Sequence, residues 1–458
     1  MRESTGAKEL AVLNSYTDKI SDSVFDNYTI PEKYFRNPNL KRGLRNADGT
    51  GVVVGVTRIA SVKGYEIEDW IRIPTPGKLY YRGINVEEIV DAHHNTGTFG
   101  YEEVVYLLLL GRLPNKEELD EFTEVLTAAR TLPDGFIEDI IIKNPSTSVM
   151  NKMSQSILSL YSYDDNPDDL SLQNMLRQSI EIIARFPIIA ADAYAVKHHY
   201  LDGGSLYLHH PKDRLTLSEN FLRMLRKDKS FSPEEAHLLD LMLILHAEHG
   251  GGNNSAFVCR TLSSTGTDTY SAISGALNSL KGPLHGGANR KVMEMFNNIK
   301  ENVDTSSDDA LSAYLDKILD KEANDKSGKI YGLGHAVYTE SDPRAVLIKK
   351  YAVGLAESSG KMADFELMTR IEKLGIEKLM SRRSTDMPLC ANVDMYSGLI
   401  YDMLGIPEDL YTPLFAIARV AGWCAHRIEE VISGNKLMRP AFSAAIKRSS
   451  YLPMDDRQ

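Results

Sequence analysis

Cysteine is scarce in this sequence: Cys259, Cys390 and Cys424 are the only three among 458 residues. An odd number at wide spacing suits reduced core thiols better than a disulfide framework, which points to a reducing compartment. Excess basic charge is lacking too. With 52 Lys and Arg against 63 Asp and Glu, the net charge is −11. That balance argues against a general phosphate-backbone binder, because nucleic-acid affinity rests on basic patches that release counterions. Any anionic ligand must then be held by local arginines and lysines. Long hydrophobic runs are absent as well. The most apolar segment, Leu238 to Leu245, is broken by Asp240, and the opening MRESTGAKEL is charged, without the apolar stretch of a signal peptide. These absences predict a cytoplasmic protein with no membrane span and no nucleic-acid partner. Internal repeats and low-complexity tracts are also missing.

What is present is the grammar of helices. YEEVVYLLLLGRL is closed by Pro114, and Asn115 with Glu118 starts a helix whose Leu119, Phe122, Leu126 and Ala129 share one face. Ser232, Pro233 and Glu235 repeat the pattern as N-cap, first-turn proline and return carboxylate, ahead of the apolar run ending at His246. Only the stretch Gly51 to Gly83 departs from it. There GVVVGVT and KLYYRG, punctuated by PTPG, predict one or two short strands, too few for an α/β fold. Polar runs at Asp164 to Asp169 and Glu301 to Asp309 mark loops or domain edges. The expected architecture is all-α with a short N-terminal β segment and two helical domains: a large one over 1–288 and 393–458, and a small one over 289–392.

Four segments break the helical pattern: HAEHGGGNNSA at 246–256, GPLHGGAN at 282–289, GLGHAVYTESDPRA at 332–345 and NVDMYSG at 392–398. Each sets a His or Asp beside glycine, which lets the backbone approach a ligand closely or adopt φ > 0. A lone histidine in such a loop is usually bonded to backbone, but four segments of this kind in one half of a chain point to a site. His246 and His249 at i, i+3 do not fit zinc, whose helical signature needs i, i+4 with a Glu between, so no metal is expected. A nicotinamide site is not supported either. GLG at 332–334 lacks the third glycine and the βαβ context that such a site needs.

The four segments resemble the motifs of the citrate synthase family, in the order His-x-x-His, Gly-Pro-x-His-Gly, Gly-His with Asp-Pro-Arg, and Asn-Val-Asp. A weaker likeness runs from YYRGINVEEI near residue 80 to MRP at 438–440. The resemblance implies an acyltransferase that condenses acetyl-CoA with oxaloacetate and hydrolyses the thioester to citrate and CoA, with propionyl-CoA and 2-methylcitrate as the alternative. It implies no cofactor, and a homodimer with shared active sites. By resemblance the catalytic residues are His285, His335 and Asp394, and His249, Arg344, Arg419 and Arg439 bind oxaloacetate, Arg439 being contributed from the neighbouring subunit. Ser255 resembles the residue that orients the first catalytic histidine, and His246 and Asn253 belong to the same supporting group. A catalytically silent scaffold of the same fold would have lost one of these side chains, and none is lost.

The chemistry of these residue types agrees with that assignment. A carbon nucleophile forms from a thioester when a base removes the weakly acidic α-proton and a donor stabilises the enolate oxygen. Asp394 serves as base if desolvation raises its pKa, and a neutral His285 serves as donor. His335 polarises the electrophile's carbonyl. Two carboxylates on the electrophile suit planar guanidinium groups, which bind them bidentately. Arg344 opens a helix behind Asp342 and Pro343, and Arg419 lies within FAIARVAGWCAH, where a buried charge needs an anionic partner. The sequence departs from the family pattern at the CoA phosphates. Thr339 and the segment TDMPLCA stand where many members carry basic residues, so Arg382, Arg383 or Arg45 would have to supply the charge. The backbone of YGLGHA, with Leu333 and Gly334, is expected to cradle the adenine.

Overall fold

The caps legible in the sequence close their helices as expected. Asn115 accepts from the Glu118 amide at 2.9 Å while the Glu118 carboxylate takes the Asn115 amide at 2.8 Å. Ser232 and Glu235 do the same ahead of the helix Pro233–His246, so orphan first-turn amides are satisfied reciprocally. In the helix Lys116–Ala128, Phe122 and Leu126 are buried and Leu119 and Ala129 half-buried, the predicted face. The computed structural model describes residues 5–69, 71–434 and 436–457. Among them are seventeen α-helices and one small three-stranded sheet, an all-α fold with a short β segment.

The chain divides into two units. The first joins the segment up to Val54 to the C-terminal stretch from Arg439 onward. It holds a helix, Thr5–Tyr28, whose apolar Leu10, Leu13 and Tyr16 are exposed, so no buried stripe marks it in the sequence. The second unit runs from Gly55 to Met438 and contains the whole of the expected small domain, 289–392. At its centre lies the helix Tyr411–Ser433, apolar on nearly every side and buried along most of its length. Such a helix must be surrounded, and the helices Leu172–Tyr200, Asn254–Ser263, Pro233–His246 and Tyr101–Leu110 pack against it. The three cysteines are buried and free. No helix among the described residues is long and apolar enough to cross a membrane.

The β segment differs from expectation. GVVVGVT is not a strand: apart from one bridge at Gly51 it is irregular, and Val53 and Val56 are 88% and 90% exposed. β-Branched residues extend the backbone but form no ladder without a partner strand. The hairpin forms instead from β1 (Ala60–Glu68) and β2 (Ile71–Tyr81), with the two-residue β3 (Ile84–Asn85) on the far edge of β2. PTPG, read as punctuation, lies inside β2, where Pro74 pairs with Tyr65 beside an irregularity in register.

Candidate active site

Two of the four glycine-flanked segments are laced together by backbone hydrogen bonds. Gly334 donates to the Cys390 carbonyl at 2.8 Å and Asn392 to the Gly332 carbonyl at 2.9 Å, with an antiparallel bridge between Leu333 and Ala391. The Asn392 side chain donates to the Gly334 carbonyl at 2.8 Å and accepts from the Asp394 amide at 3.0 Å. Glycine is required at 332, where φ is +86° and an added Cβ would stand 2.9 Å from the Met395 Cα. The lacing ends just before His335 in one segment and delivers Asp394 as the first residue of the helix Asp394–Met403.

Hydrogen bonds to backbone settle which nitrogen of each ring can donate. His335 Nδ1 accepts from the amides of Val337 and Tyr338 at 3.0 and 3.1 Å, so a neutral ring carries its proton on Nε2. Its plane stacks on Tyr338, with centroids 4.6 Å apart, and the Tyr338 hydroxyl lies 3.2 Å from His249 Nε2. His285 has the opposite tautomer. Its Nε2 accepts from the Ser255 amide at 3.2 Å, one of the free donors of the first turn of the helix Asn254–Ser263, which leaves the proton on Nδ1. Asn253 caps that helix, and the Ser255 hydroxyl lies 3.0 Å from His285 Nε2 while accepting from Trp423 Nε1 at 3.1 Å.

Burial sets the charge states. It pushes His285 down to about 4, helped by the nearby Arg419 charge, so the ring is neutral at pH 7. Burial, then the Arg344 charge, drives His249 well below the ordinary imidazole range. His246, with Nδ1 donating to the Met242 carbonyl at 2.7 Å, is pushed down to about 3, again chiefly by burial. Asp394 moves up to about 6 because burial outweighs the attraction of Arg344.

The two expected substrate-binding arginines that lie in this unit are held differently. Arg344, buried at the first turn of the helix Pro343–Tyr351, gives Nε and Nη2 to the Asp342 carboxylate at 2.9 and 2.6 Å, and that contact holds it above the ordinary range despite burial. Arg419 is only 1% exposed, donates through Nε to the His246 carbonyl at 2.6 Å and has no partner for Nη2. Burial lowers it to about 10, so it is still charged at pH 7. A buried guanidinium edge without a partner is costly, and it is the group best suited to a carboxylate arriving from outside. The charges of both arginines act on His249 and Asp394, and that of Arg419 on His285 as well, which locates all of them at one site.

Other expected residues lie elsewhere or are engaged. Arg382 is paired with Asp316 and Asp320 at 2.8 and 2.6 Å, and Arg383 is exposed just beyond the helix Met362–Ser381. Arg45 and Arg439 belong to the first unit and are exposed there. The structure adds participants that their residue types alone do not reveal. Tyr338 joins His249 to His335, Asp342 anchors Arg344, and Trp423 supports Ser255. Glu248 accepts from His426 Nε2 at 2.9 Å beneath the His249 turn. Tyr338, Asp342 and Glu248 lie within glycine-flanked motifs, their only advance signal, whereas Trp423 lies in none.

The arrangement offers one carboxyl raised towards neutrality, two neutral imidazoles with defined N–H directions and an unsatisfied guanidinium. That set suits proton abstraction beside a carbonyl with hydrogen-bond stabilisation of oxyanions. Comparison with known proteins gives the same direction. The family model described as citrate synthase, C-terminal domain, matches residues 46–441. A citrate synthase of Haloferax volcanii is 35% identical over 91% of this chain and 99% of its own, and that of Deinococcus radiodurans 33% identical over 92% and 100%. Among solved structures, the citrate synthase of Thermoplasma acidophilum in ternary complex with carboxymethyl coenzyme A and oxaloacetate superposes with a TM-score of 0.75 at 27% identity. It covers 92% of this chain and 100% of its own. With its motifs, fold and relatives in agreement over nearly the whole length, the chain belongs to the citrate synthase family.

Proposed function

We propose that the protein condenses acetyl-CoA with oxaloacetate through His285, His335 and Asp394, and hydrolyses the resulting thioester to citrate and CoA. The observation that supports this reading is the opposite tautomers of His285 and His335, together with a carboxyl at Asp394 that burial raises to about 6. Asp394 takes a proton from the acetyl methyl group, and the Nδ1–H of His285 stabilises the thioester oxygen as it becomes an enolate. The carbanion carbon attacks the keto carbon of oxaloacetate, whose oxygen, held by the Nε2–H of His335, becomes the product hydroxyl, and the proton it gains balances the one Asp394 took from the methyl group. Water then adds to the thioester carbonyl, its hydroxyl going to the new carboxyl group and its hydrogen to the departing thiol. Arg344, Arg419 and His249 hold the dicarboxylate. The Thermoplasma relative, solved with oxaloacetate and a CoA analogue, supports this choice of substrates. Neither a metal nor a nicotinamide enters any step.

Purified protein should release free CoA thiol from acetyl-CoA only when oxaloacetate is added, without metal or nicotinamide. A thiol-colour assay checks this, and no oxaloacetate-dependent release with either acetyl-CoA or propionyl-CoA would sink the reading. Propionyl-CoA differs by one methylene, worth about 1–3 kcal/mol in a pocket. The ratio of the two kcat/KM values therefore decides between citrate and 2-methylcitrate formation.

The large domain, 1–288 and 393–458, would carry the dimer contact and the oxaloacetate groups, with 289–392 closing over it on the CoA side. His335 and Arg344 then face His249 and Arg419 across a cleft that a bridging dicarboxylate favours closing. Burial of three free thiols suits a reducing, cytoplasmic setting. Arg439 would complete the site of the partner subunit. Mixing Arg439→Ala subunits with Asp394→Asn subunits should then regenerate one intact site per heterodimer, because both damaged residues fall in the other site. If activity never exceeds that of either parent while mass analysis confirms subunit exchange, Arg439 does not act in trans.

A further inference from the structure

β1 and β2 lose register between Lys63 and Tyr65: Lys63 pairs with Lys78, whereas Tyr65 already pairs with Pro74. Thr75, Pro76 and Gly77 therefore stand opposite Gly64, a bulge that takes backbone groups out of the ladder. Two of these groups are used by one loop. The Gly64 carbonyl accepts from the Thr339 hydroxyl at 2.9 Å, and the Gly77 amide donates to the Ser341 hydroxyl at 3.1 Å. Neither glycine has room for a side chain. A Cβ at Gly64 would stand 2.6 Å from the Val337 carbonyl oxygen, and one at Gly77 would stand 2.1 Å from that of Ser341. Thr339 is 7% exposed, so the hydroxyl is committed to this contact and faces no solvent-borne phosphate.

The loop so held is the one that joins His335 to Arg344. Its first part stacks Tyr338 on the His335 ring, and its last part presents Asp342 to Arg344. We infer that the bulged hairpin fixes His335 and Arg344 relative to each other through Thr339 and Ser341, which makes these two hydroxyls positioning residues for polarising the keto group. Thr339 thus has a structural task in this chain. The inference rests on the condensation reading above, and the His335 geometry is what it adds.

The test uses the full-length protein and carbonyl-labelled oxaloacetate. In wild type, the infrared stretch of the bound keto group should move to lower frequency than in free oxaloacetate. Thr339→Val keeps the volume and removes the hydroxyl. It should shrink that shift and lower kcat by about 10-fold, the order of effect that a small misplacement of a reacting group produces. The oxaloacetate KM should change less than kcat, and Thr339→Ser should restore both the shift and the rate. Ser341→Ala removes the second tether at a half-buried position and should move both readouts in the same direction, which covers the case in which the valine variant fails to fold. A full shift and a kcat within about twofold of wild type in these variants would overturn the inference. Absence of turnover and of any shift in wild type would instead overturn the condensation reading itself.

Discussion

Asp394→Asn is expected to cut turnover by about 10²-fold or more, the loss typical when a general base is removed, while oxaloacetate affinity stays near wild type. Asparagine keeps the shape and the helix-start position but cannot accept the α-proton. Its amide leaves the Asn392 contact intact, because that bond runs from the backbone nitrogen of residue 394. The same carboxyl gives a pH signature. Burial raises it to about 6, so in wild type kcat/KM should climb through that pH as the base ionises and then level off. His285, held down to about 4, is neutral over the whole of that rise. Stability should move the other way. A carboxyl raised above its unfolded value favours the protonated form, so its burial opposes folding increasingly as pH rises through about 6. The asparagine variant should therefore melt no lower than wild type at pH 8. A variant that loses turnover together with several degrees of melting temperature would place Asp394 in the scaffold rather than in the chemistry.

Arg419→Met should raise the oxaloacetate KM by about 10²-fold or more, since breaking a buried charge pair costs roughly 2–5 kcal/mol. The expectation follows from the side chain's position rather than from its charge alone. Nε is spent on the His246 carbonyl, Nη2 has no partner, and the helix that carries it is buried around it. Arg344 differs because Asp342 already takes two of its nitrogens. Methionine fills a similar volume without charge, and the His246 carbonyl loses its Arg419 donor, which should cost the fold about 1–3 kcal/mol. Titration of oxaloacetate against the variant, by calorimetry and by steady-state kinetics, checks this. An unchanged dissociation constant would remove Arg419 from the substrate site. Substitution by lysine should rescue little, because an ammonium cannot donate to the His246 carbonyl and to a carboxylate in the same fork geometry.

Much of the fold was legible because helix caps are local. Asn115 with Glu118 and Ser232 with Glu235 act over three residues, and their pattern survives any tertiary arrangement. The strand expectation at Gly51 to Thr57 failed for the converse reason: a strand needs a partner, and the partner of β2 is SVKGYEIE, not GVVVGVT. The residue types proposed for catalysis were also readable, since histidine and aspartate beside glycine combine a reactive side chain with a backbone free to present it. Their supporting contacts were not. The Ser255 amide that fixes His285 is 30 residues away, and Trp423, which holds Ser255, is a further 168.

The sequence by itself determined that the protein is helical, where many helices begin, and which side chains could abstract a proton, donate to an oxyanion or grip a carboxylate. Only the tertiary structure decided how those side chains are used. Folding sets a backbone amide against Nε2 of His285 and two against Nδ1 of His335, giving chemically identical rings opposite tautomers. It leaves one edge of Arg419 without a partner while closing Arg344 on Asp342. It also turns Thr339 inward to a bulge carbonyl. Each of these outcomes depends on groups brought together from distant parts of the chain, and hydrogen bonding and desolvation act on whatever lies adjacent in space.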